Sequence, residues 1–245
     1  MRSRARANRE PPVIEPTAYR RWYETPLGAQ VDADEKGVVF ALADLTPGER
    51  VLDLGCGDGN YTEPIADRTG AAIAVDISHA MLRAATTRLR HRAQVFLVQA
   101  DGARLPFRGA SFDAVIAVTV LCFAEDPQGL LAEACRILRP GGRIVLGELG
   151  RYSPWALARK LKGLLGETVY RQAHFFTRSE LEELLTSSGF HDVAFRSAVF
   201  YPPVNARAAI RCGRLVEPIG RRLAPWAGAF LAARAGRPRA ARGTR

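Results

Sequence analysis

Hydrophobic residues along this chain fall into two kinds of run. Short β-branched stretches occur at 50–54, 71–76, 94–100, 112–118 and 142–148, and segments of helical period lie between several of them, at Ser78–Arg90 and Pro127–Leu138. Strands alternating with helices predict βαβ units and a mainly parallel sheet. The stretch Phe112-Asp-Ala-Val-Ile-Ala-Val118 is almost continuously apolar, as expected of a strand covered by helices on both faces.

The flanks read differently. Residues 1–16 are expected to be a flexible arm, because Pro11, Pro12 and Pro16 interrupt any helix. An aromatic cluster, Tyr19-Arg-Arg-Trp22-Tyr23, precedes a helix predicted over Gly28–Leu45 and closed by Thr46-Pro-Gly48. After Leu149, residues 153–176 read as a helical insertion ending in His174-Phe-Phe176. Thr177-x-x-Glu180 is a capping box for a helix over Arg178–Ser188, and Gly189 stops it. Strand-like segments at 191–200 and 228–234 bring the expected total to seven, and 236–245 is a basic tail without core formers. The predicted organisation is thus a single domain over 17–235: a cap (17–47), a core (48–150), and an insertion with C-terminal strands (151–235).

Composition narrows the classes. With 47% hydrophobic and 24% charged residues the 245-residue chain can bury a full core, which excludes a disordered or disulfide-stapled protein. The four cysteines (Cys56, Cys122, Cys135, Cys212) form no CxxC pair, so no metal site is expected and a reduced, cytoplasmic setting fits. The longest uncharged runs, Ala114–Ala124 and Leu223–Ala233, are too short to span a bilayer and read as buried strands. Net charge is +10, yet residues 1–10 carry +3 and residues 201–245 carry +9, leaving 10 − 3 − 9 = −2 for the body.

Chemistry concentrates in Val51-Leu-Asp-Leu-Gly-Cys-Gly-Asp-Gly59. A strand runs into a turn with glycine at alternate positions, where φ > 0 and close approach to a ligand are both available. The helix that follows offers unpaired N–H groups to an anion. A dinucleotide fingerprint requires Gly or Ala where Asn60 stands, and the P-loop Gly-Lys-Ser/Thr is absent.

The form Asp53-x-Gly-x-Gly-x-Gly59 instead resembles motif I of the class I S-adenosylmethionine (SAM) methyltransferases, and further matches follow in order. They are Ala74-Val-Asp76-Ile-Ser78, Met81-Leu82, Gln99-Ala-Asp101-Gly102 with Leu105-Pro-Phe107, Ser111-Phe-Asp113-Ala-Val115, and Leu138-Arg-Pro-Gly-Gly142. The resemblance is to the small-molecule branch called methyltransferase type 11, which includes quinone-biosynthesis C-methyltransferases. It covers about residues 48–150 well and the flanks loosely. It implies a Rossmann-like α/β fold with seven mostly parallel strands, helices on both faces, an N-terminal helical cap and a helical insertion after the fifth strand.

It also implies roles. Asp76 would accept the ribose hydroxyls of SAM, Asp101 the adenine amino group and the Gly102 backbone the ring edge, with Ile77 and Met81 around the adenine. Asp53 and the backbone of Gly55, Cys56 and Gly57 would face the methionyl end, Asp53 either binding the ammonium or bracing the turn. Tyr19 is a candidate for the methionyl carboxylate, and Trp22, Tyr23 and Phe123 for the acceptor cavity. Methyl transfer to an activated sulfonium requires alignment above all. Where a base is needed, the candidates are His174, Tyr170 and Asp126, with His174 having the better-matched pKa.

The expected activity is methyl transfer to a small, fairly apolar metabolite. The alternatives are a nucleic-acid methyltransferase gripping phosphates with its Arg-rich ends, and a membrane-surface lipid or quinone methyltransferase. Against the first, Thr119-Val-Leu-Cys-Phe123 occupies the place of an Asn/Asp-Pro-Pro-aromatic motif, and no aromatic-interleaved basic platform is present. For the second, residues 204–223 have the composition of an interfacial helix, but Pro218 and Gly220 interrupt it, so the segment reads as a connector between the last two strands.

Overall fold

The structure is a computed structural model that describes residues 15–164, 166, 169–205 and 207–239. Its centre is a seven-stranded sheet in the order β3-β2-β1-β4-β5-β7-β6. The strands are β1 (Val51–Leu54), β2 (Ala72–Asp76), β3 (Val95–Gln99), β4 (Phe112–Val118), β5 (Leu138–Leu149), β6 (His191–Ala198) and β7 (Phe230–Gly236). The first five pair in parallel, and β7 runs antiparallel to both β5 and β6. The order reverses at β1/β4, so the loops after these two strands diverge and leave a crevice at their carboxyl ends.

Nine helices are described: α1 (Pro16–Glu24), α2 (Pro26–Ala43), α3 (Thr62–Thr69), α4 (His79–Arg88), α5 (Pro127–Ile137), α6 (Pro154–Leu164), α7 (Val169–Gln172), α8 (Arg178–Ser187) and α9 (Arg207–Leu223). Helices α2 and α3 cover one face of the sheet, where Val31, Val38, Val39 and Ile65 meet Ala114, Ile116 and Val145. Helices α5 and α8 cover the other, where Leu131, Ile137, Leu181 and Leu185 meet Leu52, Val115 and Ile144. Both faces of β4 are therefore buried from Ala114 to Ala117, as its almost continuously apolar run predicts.

Three expectations are corrected. Of the expected arm, 1–14 lie outside the described residues, while Pro16 opens α1: at the first helical position its missing N–H is no loss, and Glu15 caps the helix by accepting from Thr17 N and Ala18 N. The run Leu223–Ala233 is not one strand. Leu223 ends α9, a turn holds Trp226, and β7 starts at Phe230. The segment read as an interrupted connector does join β6 to β7, but as the 17-residue helix α9, with Pro218 inside it. Gly220 serves packing there, since a Cβ would lie 2.3 Å from the Phe200 ring.

Helix α2 also buries a carboxyl. Glu35 is 7% exposed, and burial, reinforced by Asp32 and Asp34 against Arg159 and Lys36, pushes its pKa up to about 8. Between the ordinary carboxylate value and about 8 the folded chain holds a proton that the unfolded chain has released, so this group's contribution to stability falls as pH rises through that window. Glu35→Gln is expected to leave the melting temperature unchanged near pH 5 and to raise stability by about 1–3 kcal/mol near pH 9. Calorimetric melts of both chains at the two pH values check it, and a constant difference would refute it.

Candidate active site

The carboxyl ends of β1, β2 and β4 open onto one cavity of ≈ 960 Å³, at the upper end for ligand sites and large enough for a nucleoside-sized molecule with a second one beside it. Its floor is the turn after β1. Gly55 N and Cys56 N both donate to Val75 O, at 2.7 and 2.9 Å. Gly57 N donates to Asp76 Oδ2 at 2.8 Å, and Ser78 N donates to Asp76 Oδ1 at 2.8 Å. The Asp76 carboxylate thus ties the glycine turn to the tip of β2. Burial raises its pKa, against the N–H donors that stabilise its charge.

The three glycines of the turn do different work. All have positive φ. A Cβ at Gly55 would strike Val120 at 2.4 Å, and one at Gly59 would strike Leu89 at 2.7 Å, whereas one at Gly57 would meet nothing within 4 Å. Gly55 and Gly59 are bare so that neighbouring elements can close on them. Gly55 and Gly57 both line the cavity, and of the three only Gly57 has open space where a Cβ would stand, the cradle that a ligand's polar end needs.

Asp53 lies at the cavity's inner wall, 2% exposed. Burial pushes its pKa up to about 7, against the Thr62 hydroxyl that donates to Oδ2 at 2.5 Å. Asp101, Gly102, Ile77 and Met81 line the far end, beyond Asp76, and Tyr19 reaches over from α1. Phe123 lines the wall formed by the loop after β4, with Val120, and Leu130 of α5 lines the cavity beside Gly102. Every expected cofactor residue therefore borders one space. Cys56 borders it as well, with its thiol pKa raised by burial and by the neighbouring aspartates, in keeping with a backbone role.

Other expected residues lie elsewhere. Trp22 packs edge-on between Tyr23 and Trp155, with ring centroids 4.7 and 6.4 Å away. Tyr23 hydrogen-bonds Tyr19 at 3.1 Å. The pair supports Tyr19 and is absent from the cavity wall, because α1 turns only one of its aromatic residues inward. His174 is no neighbour of the cavity: its ring lies on Phe176 at 4.5 Å, 3.3 Å from Arg151 and 3.8 Å from Glu180. Asp126 does line the cavity, but its Oδ1 caps α5 by accepting from Gly129 N. The Tyr170 side chain lies outside the described residues. Asp113 sits at the opposite end of its strand, bound to Arg50 N and Arg139.

Two participants escaped the sequence reading. Glu148 of β5 is fully buried, and its carboxylate accepts from Val120 N (3.2 Å), Leu121 N (2.8 Å) and Cys122 N (3.1 Å). This anchors the loop after β4 despite Thr119 at φ +53°, a conformation that costs a β-branched residue about 1–3 kcal/mol. Burial pushes the Glu148 pKa up to about 7. A lone acid in the apolar run Ile144–Leu149 was its available signal. Tyr61 lines the cavity beside Asn60, and its buried hydroxyl has no partner among the described residues. Nothing in the sequence marks that residue.

A parallel sheet reversing at β1/β4, an open glycine backbone, and Asp53, Asp76 and Asp101 on one cavity are features of an α/β core of the class I SAM-dependent methyltransferase type. Comparison with known proteins agrees. Residues 52–146 match a family model described as a methyltransferase domain. An uncharacterized protein of Mycobacterium tuberculosis is 36% identical over 190 residues, 78% of this chain and 63% of that protein. The chain therefore spans about 63% of the length of this relative. A demethylmenaquinone methyltransferase of Tropheryma whipplei is 41% identical over 118 residues, 48% of each chain. Among solved structures, a SAM-dependent methyltransferase of Thermotoga maritima superposes with a TM-score of 0.69 at 25% identity, covering 90% of this chain and 94% of that one. Residues 52–146 form a methyltransferase domain of the class I SAM-dependent type, in the type 11 branch. SAM is the cofactor of this enzyme class, and the open backbone at Gly57 fits its polar end.

Gly57→Val is expected to weaken SAM binding at least about tenfold while costing the fold only the ~1–2 kcal/mol of a side chain at positive φ. Titration calorimetry beside a thermal melt reads both, and normal binding by the variant would contradict the cradle. Glu148→Ala leaves three buried N–H groups unpaired and is expected to lower stability by about 2–4 kcal/mol in urea unfolding. A loss under about 1 kcal/mol would show that the loop has other anchors.

Proposed function

We propose that the chain transfers the methyl group of SAM to a small, apolar acceptor. The observation that carries this is the division of the cavity. Asp53, Asp76 and Asp101 with bare glycine backbone crowd the tips of β1, β2 and β3, while Val120, Phe123 and Ala124 of the loop after β4 add an apolar surface that continues into Glu125 and Asp126. Cofactor and acceptor would thus lie side by side in one space of ≈ 960 Å³. The likeness to the Tropheryma demethylmenaquinone methyltransferase supports a quinone-type ring as the acceptor. The unpaired thiols of Cys56, Cys122 and Cys135 fit a cytoplasmic setting.

In this reading Asp76 accepts the ribose hydroxyls, Asp101 and the Gly102 backbone take the adenine edge, and Ile77 and Met81 flank its ring. Asp53 faces the methionyl ammonium, and Tyr19 closes over the carboxylate end from the cap (17–47). The core (48–150) carries the cofactor residues, and 151–235 complete the domain. The bound sulfonium supplies the activated methyl group. The chain's own residues align the two reactants and keep water away, which can supply up to ~7–11 kcal/mol. No base is assigned, since His174 is held outside the cavity.

Asp76→Ala is expected to weaken SAM at least about tenfold, through lost charge-assisted hydrogen bonds, and to lower stability by about 1–3 kcal/mol because Gly57 N and Ser78 N lose their acceptor; unchanged affinity would refute the ribose assignment. Asp53 gives a pH signature. An ionised carboxylate attracts the ammonium, so SAM affinity should fall as pH drops below about 7, by up to about tenfold per unit. Asp53→Asn should flatten that profile. Matching profiles in the two chains would reduce Asp53 to a brace for the turn.

A further inference from the structure

Helix α9 has its faces arranged unusually. The side turned to the protein is small and polar: Gly213 lies against the Tyr201 ring, Gly220 lies against the Phe200 ring, and the buried carboxylate of Glu217 accepts from Val199 N (2.8 Å) and Phe200 N (3.0 Å). The apolar stripe points the other way. Leu215, Ile219 and Leu223 recur every fourth residue, one above another on a helix, with Leu215 71% and Leu223 75% exposed. On the same outer side lie the exposed cations Arg211 and Arg222, while Arg221 pairs with Glu217 at 3.2 Å. Amphipathic helices normally turn the apolar stripe inward. Here it faces outward, next to positive charge.

The surroundings continue the pattern. Trp226, just past α9 and 57% exposed, stacks edge-on with exposed Tyr152, just before α6, at 6.2 Å. Helix α6 repeats the arrangement, burying Trp155 and Ala156 and exposing Leu157, Leu161 and Leu164 beside Lys160 and Lys162. A cleft of ≈ 550 Å³ at the end of α6 carries Lys160 and Arg171 on its rim and Phe175 at its base.

We propose that α9, with Trp226, Tyr152 and the outer stripe of α6, is a docking face for an anionic lipid bilayer. An outward leucine stripe flanked by arginines, with a Trp–Tyr pair, matches a helix lying in the boundary between acyl chains and headgroups. The cationic cleft has the charge to take a lipid phosphate. A second copy of the chain fits poorly, because the one acid of α9, Glu217, is turned inward and cations would meet cations across the contact. RNA has phosphates for the arginines but no apolar surface for the leucines. The docking is peripheral, since no helix among the described residues is long and apolar enough to cross a membrane. It goes beyond the methyl-transfer reading and does not require the lipid to be the acceptor.

The test is flotation of the full chain with vesicles of phosphatidylcholine and phosphatidylglycerol in equal parts, against phosphatidylcholine alone. Flotation with the anionic vesicles is expected, weakening with salt. The variant Leu215→Gln/Ile219→Gln/Leu223→Gln should partition at least about tenfold less, with unchanged affinity for SAM by calorimetry. A chain shortened to end at Gly236, without any arginine of the tail, should still float, which assigns the binding to the helix; loss of flotation on that truncation would overturn the proposal. Absence of flotation at low salt, or a triple variant that floats like the parent, would overturn the proposal. So would a dimer, seen by light scattering, that the triple substitution disperses without any vesicle binding, or RNA binding in place of flotation. Loss of SAM binding by the parent chain would count against the methyltransferase reading and leave this one intact.

Discussion

Two carboxylates reaching across strands hold the working end of this sheet together. Asp76 of β2 receives the Gly57 N–H of the turn after β1, and Glu148 of β5 receives three N–H groups of the loop after β4. These are the two loops that diverge where the strand order reverses. Their backbone donors would otherwise face a cavity with no strand to pair with, and buried N–H groups need partners. Each anchor pulls one loop back onto its neighbour strand, and the crevice stays open between them. Without the anchors the same sheet would have the same core and no preformed site.

The two anchors differ in exposure, and the chemistry follows from that. Glu148 is sealed and committed to three backbone N–H groups and the Cys122 thiol. Asp76 borders the cavity, with one N–H donor on each oxygen. A carboxylate oxygen has a second lone pair to offer, so Asp76 can stay a structural clamp while it receives a ligand's hydroxyls. The same economy appears in the glycines, where closing the turn occupies Gly55 and Gly59 and leaves Gly57 facing the ligand. Opposite this polar floor, Val120 and Phe123 add apolar surface to the cavity.

The aromatic cap shows how a short helix can matter without a core of its own. Helix α1 buries none of its residues completely. It is held through Trp22 against Trp155, Tyr23 braces Tyr19 within the helix, and Tyr19 lies over the cavity. The insertion after β5 therefore supports the cap through Trp155, whose indole N–H is itself fixed by Tyr201 O at 2.7 Å. Cap, insertion and the root of α9 form one linked set of contacts beside the site.

Much of this was legible in the order of residues alone. Period-two and period-3.6 runs depend on local geometry, so the five parallel strands, the capping box at Thr177 and the glycine turn could be read directly. The spacing from Asp53 through Asp76 to Asp101 placed three acids at consecutive strand tips, since a parallel strand ends where its apolar run ends. What could not be read depended on partners distant in the chain. Whether Trp22, Tyr23 or Tyr19 entered the cavity turned on which side of α1 met Trp155, and His174 was withdrawn by Arg151 and Glu180. Glu148 looked like an ordinary strand residue until the loop after β4 folded over it. Pro218 and Gly220 suggested a break, yet Glu217 capturing two backbone N–H groups and the Phe200 ring filling the glycine's place let α9 run through both. Local pattern selected the elements; the tertiary contacts decided which side of each element would face the ligand, the core or the water, because that choice is made by the surface each one packs against.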